Sequence, residues 1–410
     1  MTAAASAAQN EGMSDSPANP IQDLLVFGEY GDVNPSITDS TTYTFLSPEK
    51  MEAAFSTEME GCFLYSRHWN PTNKCLAHAL AEMEGTEAAQ VTASGMSAIA
   101  STVLQLCRAG DEIVASRTIY GGTYALFRNF LPRLGIAVRF VDVNDAGAVA
   151  SAMTDKTRVL YTESMSNPLL EVADVRALAA AAHARGAKLV VDNTFTPMIL
   201  APARLGADVV VHSLTKFING TSDAIAGAIC ASKAFVAELT DVNAGACMLM
   251  GPVLDSLRAA GILKNLHSLH IRMRQHSRNA LMLAEHLRGR GFRVHYPGLA
   301  GHPQHALLAR DGNRAIGFGG MLALDVGDEA RAKKLMTIMQ EELVGYLAVS
   351  LGYFKTLFSA PGHSTSSEIP EAEQRAMGLS AGLIRFSVGL DEDMHRTLAR
   401  VDRSLQRSGL

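Results

Sequence analysis

Val209-Val210-Val211-His212-Ser213-Leu214-Thr215-Lys216-Phe217 reads as a short apolar strand that runs out into a lysine set among small hydroxyl residues. A second strand upstream ends in an acid, Val190-Val191-Asp192-Asn193. Continuous apolar runs of this kind mark strands buried on both faces, hence a mostly parallel sheet covered by helices. In such sheets ligands bind beyond the carboxyl ends of the strands, where Asp192 and Lys216 fall. An amine and a carboxylate at neighbouring strand ends suit pyridoxal 5'-phosphate (PLP). That cofactor needs an amine to hold its aldehyde as a Schiff base and a carboxylate to keep its ring nitrogen protonated. Each residue alone also has a plain reading: an aspartate there caps a turn or a helix, and most lysines after strands are solvated. Ser213 and Thr215 change the balance, because two hydroxyls beside the lysine can hold phosphate oxygens.

Around this stretch, from about residue 77 to 234, helical and strand periods alternate. The pattern predicts helices over 97–108, 123–134 and 172–185, and strands over 112–115, 137–143, 159–162, 189–192 and 209–212. The third helix is Ala-rich and stops at Gly186. Past Gly251-Pro252 a long amphipathic stretch, 255–289, leads into a second region. There a strand is expected over 319–325, a helix over 329–343, a strand over 384–388 and then a terminal helix. The expected class is α/β, with a mostly parallel sheet in a large domain and a smaller C-terminal α/β domain. The division reads as a disordered arm over 1–25, an N-terminal extension over 26–76, a large domain over 77–255 and a C-terminal domain over 256–410.

Composition agrees. The chain of 410 residues is 48% hydrophobic and 19% charged, enough to bury a sizeable core, and its 6% aromatic content favours α/β over all-β. A net charge of −5 without a basic cluster argues against nucleic acid as a partner. Five cysteines (Cys62, Cys75, Cys107, Cys230, Cys247) lack CxxC or Cys/His metal spacing, which points to a reduced, cytoplasmic setting and no metal. The first twenty or so residues have neither the basic start nor the apolar run of a signal peptide, and no apolar run approaches membrane-spanning length.

Further residues fall where a site would form. Ala93-Ser94-Gly95-Met96-Ser97 precedes a helix, whose exposed amides suit a phosphate dianion; taken alone, such a stretch is more often an ordinary helix cap. Neither GxGxxG nor a Walker sequence is present, so nucleotide cofactors lose ground. Tyr120 follows a strand, where its ring can stack on a pyridine. Arg385 is a charge within an apolar strand, suited to bidentate capture of a substrate carboxylate; an internal salt bridge is the alternative.

Together these motifs resemble the Cys/Met-metabolism family of PLP enzymes, from about Phe27 to the C-terminus. The resemblance is carried by Tyr65-Ser66-Arg67-His68-Trp69-Asn70-Pro71-Thr72, Ser94-Gly95-Met96, Tyr120-Gly121-Gly122-Thr123 and Glu163-Ser164 with Asn167-Pro168. It continues through Val191-Asp192-Asn193-Thr194, His212-Ser213-Leu214-Thr215-Lys216 and Ser350-Leu351-Gly352. It implies the type I PLP-transferase fold, like that of aspartate aminotransferase. It implies that Lys216 bonds the cofactor, Asp192 pairs with the pyridinium, Tyr120 stacks on the ring and Asn167 lies near the phenolic oxygen. Gly95, Met96, Ser213 and Thr215 would hold the phosphate, joined by Tyr65 and Arg67 from a neighbouring subunit. The expected assembly is therefore a homotetramer built from dimers with shared active sites. Arg385 and Ser350 would hold the carboxylate of a small amino-acid substrate.

Trp69, Thr221 and Gly261 depart from the family's usual residues and bear on the substrate entrance. Members that handle cystathionine commonly have glutamate before Ser-Leu-Gly, whereas this chain has Val349, which suits a thioether methyl group. Phe27-Gly28-Glu29-Tyr30, Tyr65 to Thr72, Tyr296-Pro297-Gly298 with His302-Pro303-Gln304-His305, and Thr365-Ser366-Ser367-Glu368 resemble the plant-type methionine gamma-lyases. Gly122, where many bacterial members have cysteine, points the other way. The resemblance thus implies α,γ-elimination on methionine, with γ-replacement on activated homoserine as the alternative.

Overall fold

The computed structural model describes residues 19–25, 28, 31–56, 63–363 and 369–410. Most of the expected N-terminal arm, Cys62, and the motif residues Phe27, Glu29, Tyr30 and 365–368 lie outside the described residues.

The large sheet has seven strands: β1 (Ala88–Thr92), β2 (Glu112–Ser116), β3 (Ala137–Val141), β4 (Thr157–Glu163), β5 (Lys188–Asp192), β6 (Val209–Ser213) and β7 (Gly227–Ala231). Their order is β1-β7-β6-β5-β4-β2-β3. Only β7 runs against its neighbours, pairing antiparallel with both β1 and β6. Val190, Val191, Val209, Val210 and Val211 are all buried, as the continuous apolar runs require of a sheet covered on both faces. One apolar core lies on each face: Leu80, Leu189 and Val210 belong to the first, Ile113, Tyr161 and Val211 to the second.

Helix α1 (Pro71–Glu84) starts with proline, is capped by Asn70 accepting from the Thr72 amide at 2.9 Å, and stops at Gly85. Helix α2 (Gly95–Leu106) carries a capping box in which Ser94 and Ser97 satisfy each other's amides. It starts two residues earlier than its periodicity suggests. The helix expected over 123–134 is broken into a short α-helix (Gly121–Ala125), a π-helical turn (Leu126–Phe130) and a 3-10 turn (Leu131–Leu134). Pro132, which has no amide to donate, sits where the regular ladder fails. Helix α3 (Val175–His183) starts later than 172, because Asp174 caps it through the Ala177 amide.

The amphipathic stretch over 255–289 is two helices, α4 (Ser256–Leu266) and α5 (Leu269–Gly289). At the break, Ser268 Oγ and Arg272 Nη2 both donate to the Asn265 carbonyl, at 3.1 and 2.9 Å. A second sheet follows, with β8 (Arg293–His295), β9 (Met321–Asp325), β10 (Tyr346–Leu347), β11 (Leu357–Ser359) and β12 (Leu383–Ser387) in the order β10-β11-β12-β9-β8. It is antiparallel except for β10–β11. The sequence pattern showed only β9 and β12, because β8, β10 and β11 are too short to display a period. Helices α6 (Glu329–Glu341) and α7 (Met394–Ser408) pack on this sheet through a third core that includes Leu324, Leu335 and Phe386. Among the described residues no helix is long and apolar enough to cross a membrane.

Candidate active site

Strands β4, β5 and β6 lie side by side and end in Glu163, Asp192 and Ser213. Beyond those ends opens a cavity of about 470 Å³ that reaches Arg385 on β12. Every residue expected at the site lines it, except Tyr65 and Arg67.

Lys216 stands in the turn after β6, with Nζ donating to Ser350 Oγ at 3.1 Å. Burial, reinforced by Arg385, lowers its pKa to about 8, which leaves the amine partly neutral and nucleophilic near neutral pH. Asp192 Oδ1 accepts from the Thr194 amide at 3.0 Å and from Thr194 Oγ1 at 2.5 Å. Burial raises its pKa, while the two Thr194 bonds oppose that rise. Thr194 Oγ1 in turn accepts from the Ser213 amide at 2.8 Å, tying the ends of β5 and β6 together.

Glu163 is buried, and both its oxygens accept backbone amides: Tyr120 N at 2.7 Å and Asn167 N at 2.9 Å. Burial, then the neighbouring Asp192, push its pKa well above the usual carboxylate range. Tyr120 is 41% exposed at the mouth, its ring lying over Gly122. A Cβ on Gly122 would stand 2.6 Å from the Tyr120 ring, so the absence of a side chain there makes room for the aromatic.

At the opposite end, α2 presents its first turn next to Ser213 and Thr215. A Cβ on Gly95 would stand 2.7 Å from Ser213 Cβ; only glycine lets the helix terminus come so close to the strand end. Exposed amides of a helix start and two hydroxyls form a cradle suited to a phosphate.

Arg385 is 2% exposed. Its Nη1 donates to Asn167 Oδ1 at 2.9 Å, Nη2 reaches the carbonyls of Val349 and Ser350 at 3.4 Å, and Nε has no partner. Among the described residues it makes no ion pair, which sets aside the internal salt bridge. Burial lowers its pKa to about 10. A buried guanidinium held by carbonyls, with a donor unused, has the chemistry to receive a carboxylate. Val349 (62% exposed) and Ile225 (68% exposed) line the outer part of the cavity with apolar surface.

An amine of lowered pKa, a carboxylate at a strand end, a glycine-shaped anion cradle and a buried guanidinium all open onto one space. This donor set fits PLP with an amino acid bound to it. The sequence pattern of the Cys/Met metabolism PLP-dependent enzymes matches residues 26–406. The chain belongs to that family. It is 47% identical to the methionine gamma-lyase of Arabidopsis thaliana, over 93% of this chain and 88% of that one. It is 37% identical to the O-succinylhomoserine sulfhydrylase of Pseudomonas aeruginosa, over 91% of each. A solved structure of cystathionine gamma synthase from Xanthomonas oryzae pv. oryzae superposes with a TM-score of 0.88 at 31% identity, covering 97% of this chain and 99% of that one. The cofactor is thus pyridoxal phosphate, and the protein is a PLP-dependent enzyme of a carbon–sulfur lyase family.

Within this family fold, Tyr65 and Arg67 stand away from the cavity of their own chain. Arg67 Nη1 donates to the Met248 carbonyl at 2.9 Å, and its guanidinium lies 5.7 Å from the centre of the Tyr65 ring. Trp69, Thr221 and Gly261, expected to bear on the entrance, do not line the cavity within one chain. Trp69 instead packs under Lys74, whose Nζ lies 5.0 Å from its ring. Sequence reasoning assigned no part to Thr194, Phe195, Ile225 or Glu163. Thr194 was within a quoted motif two residues after Asp192, and Glu163 ends a strand as Asp192 does, so both carried a readable signal. Ile225 had none, since it reaches the cavity only through the turn between β6 and β7.

Proposed function

We propose that this protein is a methionine gamma-lyase, converting L-methionine and water to methanethiol, 2-oxobutanoate and ammonia by α,γ-elimination. The observation that carries the reading is the apolar outer wall of Val349 and Ile225, in one cavity with a buried Arg385. The guanidinium takes the α-carboxylate, and the apolar wall accommodates a thioether tail while offering nothing to a distal ammonium. The similarity to the Arabidopsis methionine gamma-lyase supports the same reading.

Bound PLP supplies an aldehyde that captures the substrate amine and a ring that takes up an electron pair. The protein's own groups do the rest. Lys216 is the residue that would bond the cofactor; its free amine would remove the Cα proton, with Ser350 Oγ orienting Nζ for that transfer. Asp192 would keep the proton on the ring nitrogen, its carboxyl group aimed by the two Thr194 bonds. Arg385 fixes the carboxylate and so places Cα within reach of Lys216. Lys216, once it has handed on the first proton, would take the Cβ proton too, and Tyr120 at the mouth would protonate the departing sulfur, a form of general acid help worth roughly 10²–10⁴ in rate. Gly95, Met96, Ser213 and Thr215 would hold the phosphate, and Asn167 would lie near the phenolic oxygen.

Tyr65 and Arg67 complete the phosphate site of a neighbouring subunit, in a homotetramer of dimers. Their position outside their own cavity supports this. The chain divides into an extension over 26–76, a large domain over 77–255 and a C-terminal domain over 256–410, the first boundary falling inside α1. A cytoplasmic setting is supported by Cys75, Cys107, Cys230 and Cys247, which are all free thiols.

The second reading is γ-replacement on O-acetyl- or O-succinylhomoserine by a thiol or sulfide, favoured by the similarity to the Pseudomonas aeruginosa sulfhydrylase. The deciding experiment assays 2-oxobutanoate from methionine alone, beside thioether formation from activated homoserine plus thiol. Rapid 2-oxobutanoate release is expected. Thioether formation with no turnover of methionine alone would replace the first reading with the second.

A further inference from the structure

Glu163 has no part in the chemistry above, yet it holds three of the groups that do. Besides Asp192 it is the one acidic side chain that lines the cavity among the described residues. It ends β4 directly opposite Asp192 on β5. One oxygen anchors the amide of Tyr120, the other the amide of Asn167, and Asn167 passes its side-chain oxygen to Arg385. Tyr120 follows β2, Asn167 follows β4 and Arg385 lies on β12 of the other sheet, so no local structure relates them.

Around Glu163 stand Asp192 on β5, the buried Tyr161 on its own strand, Tyr120 after β2 and Arg385 on β12, with Lys216 across the cavity. Arg385 bonds Asn167 and not Glu163, so the carboxylate is not spent in a direct ion pair. A neutral amide could not do the same work: its NH2 would face an N–H, leaving one backbone donor buried and unpaired.

We propose that Glu163 is a positioning residue, whose single buried carboxyl group sets Tyr120, Asn167 and, through Asn167, Arg385 as one rigid unit. The proposal rests on the PLP site assigned above. Substrate carboxylate captured by Arg385 is then held in fixed register with the ring-stacking tyrosine.

The test uses the holoenzyme and its Glu163→Gln variant. Losing a double acceptor should raise KM for methionine and lower kcat/KM by about 10- to 100-fold. The loosened group is the one that receives the substrate carboxylate, so KM should rise by more than kcat falls. Glu163→Asp keeps the carboxyl group but shortens the reach. It should raise KM as well, and it serves as the test should Glu163→Gln not fold. An unchanged KM in either variant, or a fall confined to kcat, would overturn the proposal. Borohydride trapping of PLP on Lys216 is run in parallel on the unmodified protein. Failure to trap there overturns the cofactor site itself, whereas trapping with unaltered variants overturns only the part given to Glu163.

Discussion

Lys216 is the residue whose environment most alters its chemistry. Its ordinary pKa of 10.5 falls to about 8 because burial penalises the ammonium and Arg385 repels it. At neutral pH the fraction of free amine rises by about 300-fold, since each unit is a factor of ten. The rate of PLP capture by the cofactor-free protein should therefore climb with pH and level off just above pH 8. Stopped-flow absorbance would follow it, and Lys216→Ala should capture none covalently. A rate still climbing toward pH 10 would mean that the amine is not desolvated. Arg385 makes the same point: its identity as a charge in an apolar strand was plain from the sequence. That it pairs with carbonyls and an amide oxygen, and not with an acid, required the second sheet to be placed beside the first.

Among the elements, α1 contributes more than packing. Glu84, at its C-terminal end, accepts from Asn193 Nδ2 at 2.9 Å and meets His212 Nε2 at 2.7 Å, all three fully buried. Asn193 follows Asp192, and His212 precedes Ser213, so the helix holds the ends of β5 and β6 from behind. Glu84→Ala leaves both partners buried without Glu84. The expected cost is about 1–3 kcal/mol, the usual penalty for a buried polar group left without its partner. Urea denaturation of the variant checks it; a loss below 1 kcal/mol would show that solvent or a neighbouring group takes over, by the usual worth of an exposed pair. Helix periods elsewhere were legible where a full apolar stripe met a cap, as in α3 and α6. They failed over 123–134 and 255–289. There Pro132, and the bonds that gather on the Asn265 carbonyl, break the ladder without disturbing the apolar spacing.

For the assembled molecule, the position of Tyr65 and Arg67 gives a test of shared active sites. Lys216→Ala and Arg67→Ala are each expected to be inactive or nearly so. In a dimer hybrid of the two, one site keeps Lys216 from one chain and Arg67 from the other. Mixed after unfolding and refolding, the two variants should recover about a quarter of the original activity, since half of randomly paired dimers are hybrids with one intact site. Mixtures no more active than their parents would place Arg67 in its own chain's site. The stretch from Val209 to Phe217 with Asp192 already contained the covered parallel sheet, the strand-end position of the site and the amine–carboxylate pair, because these follow from local composition and the fixed geometry of parallel strands. The motifs named the family. Tertiary structure was needed for the rest. It turned β7 against its neighbours, brought β12 to the mouth of the large sheet, lowered the pKa of Lys216 and put Glu163 under three distant groups. Burial, charge and contact at these points depend on residues far apart along the chain, and no local pattern records which of them will meet.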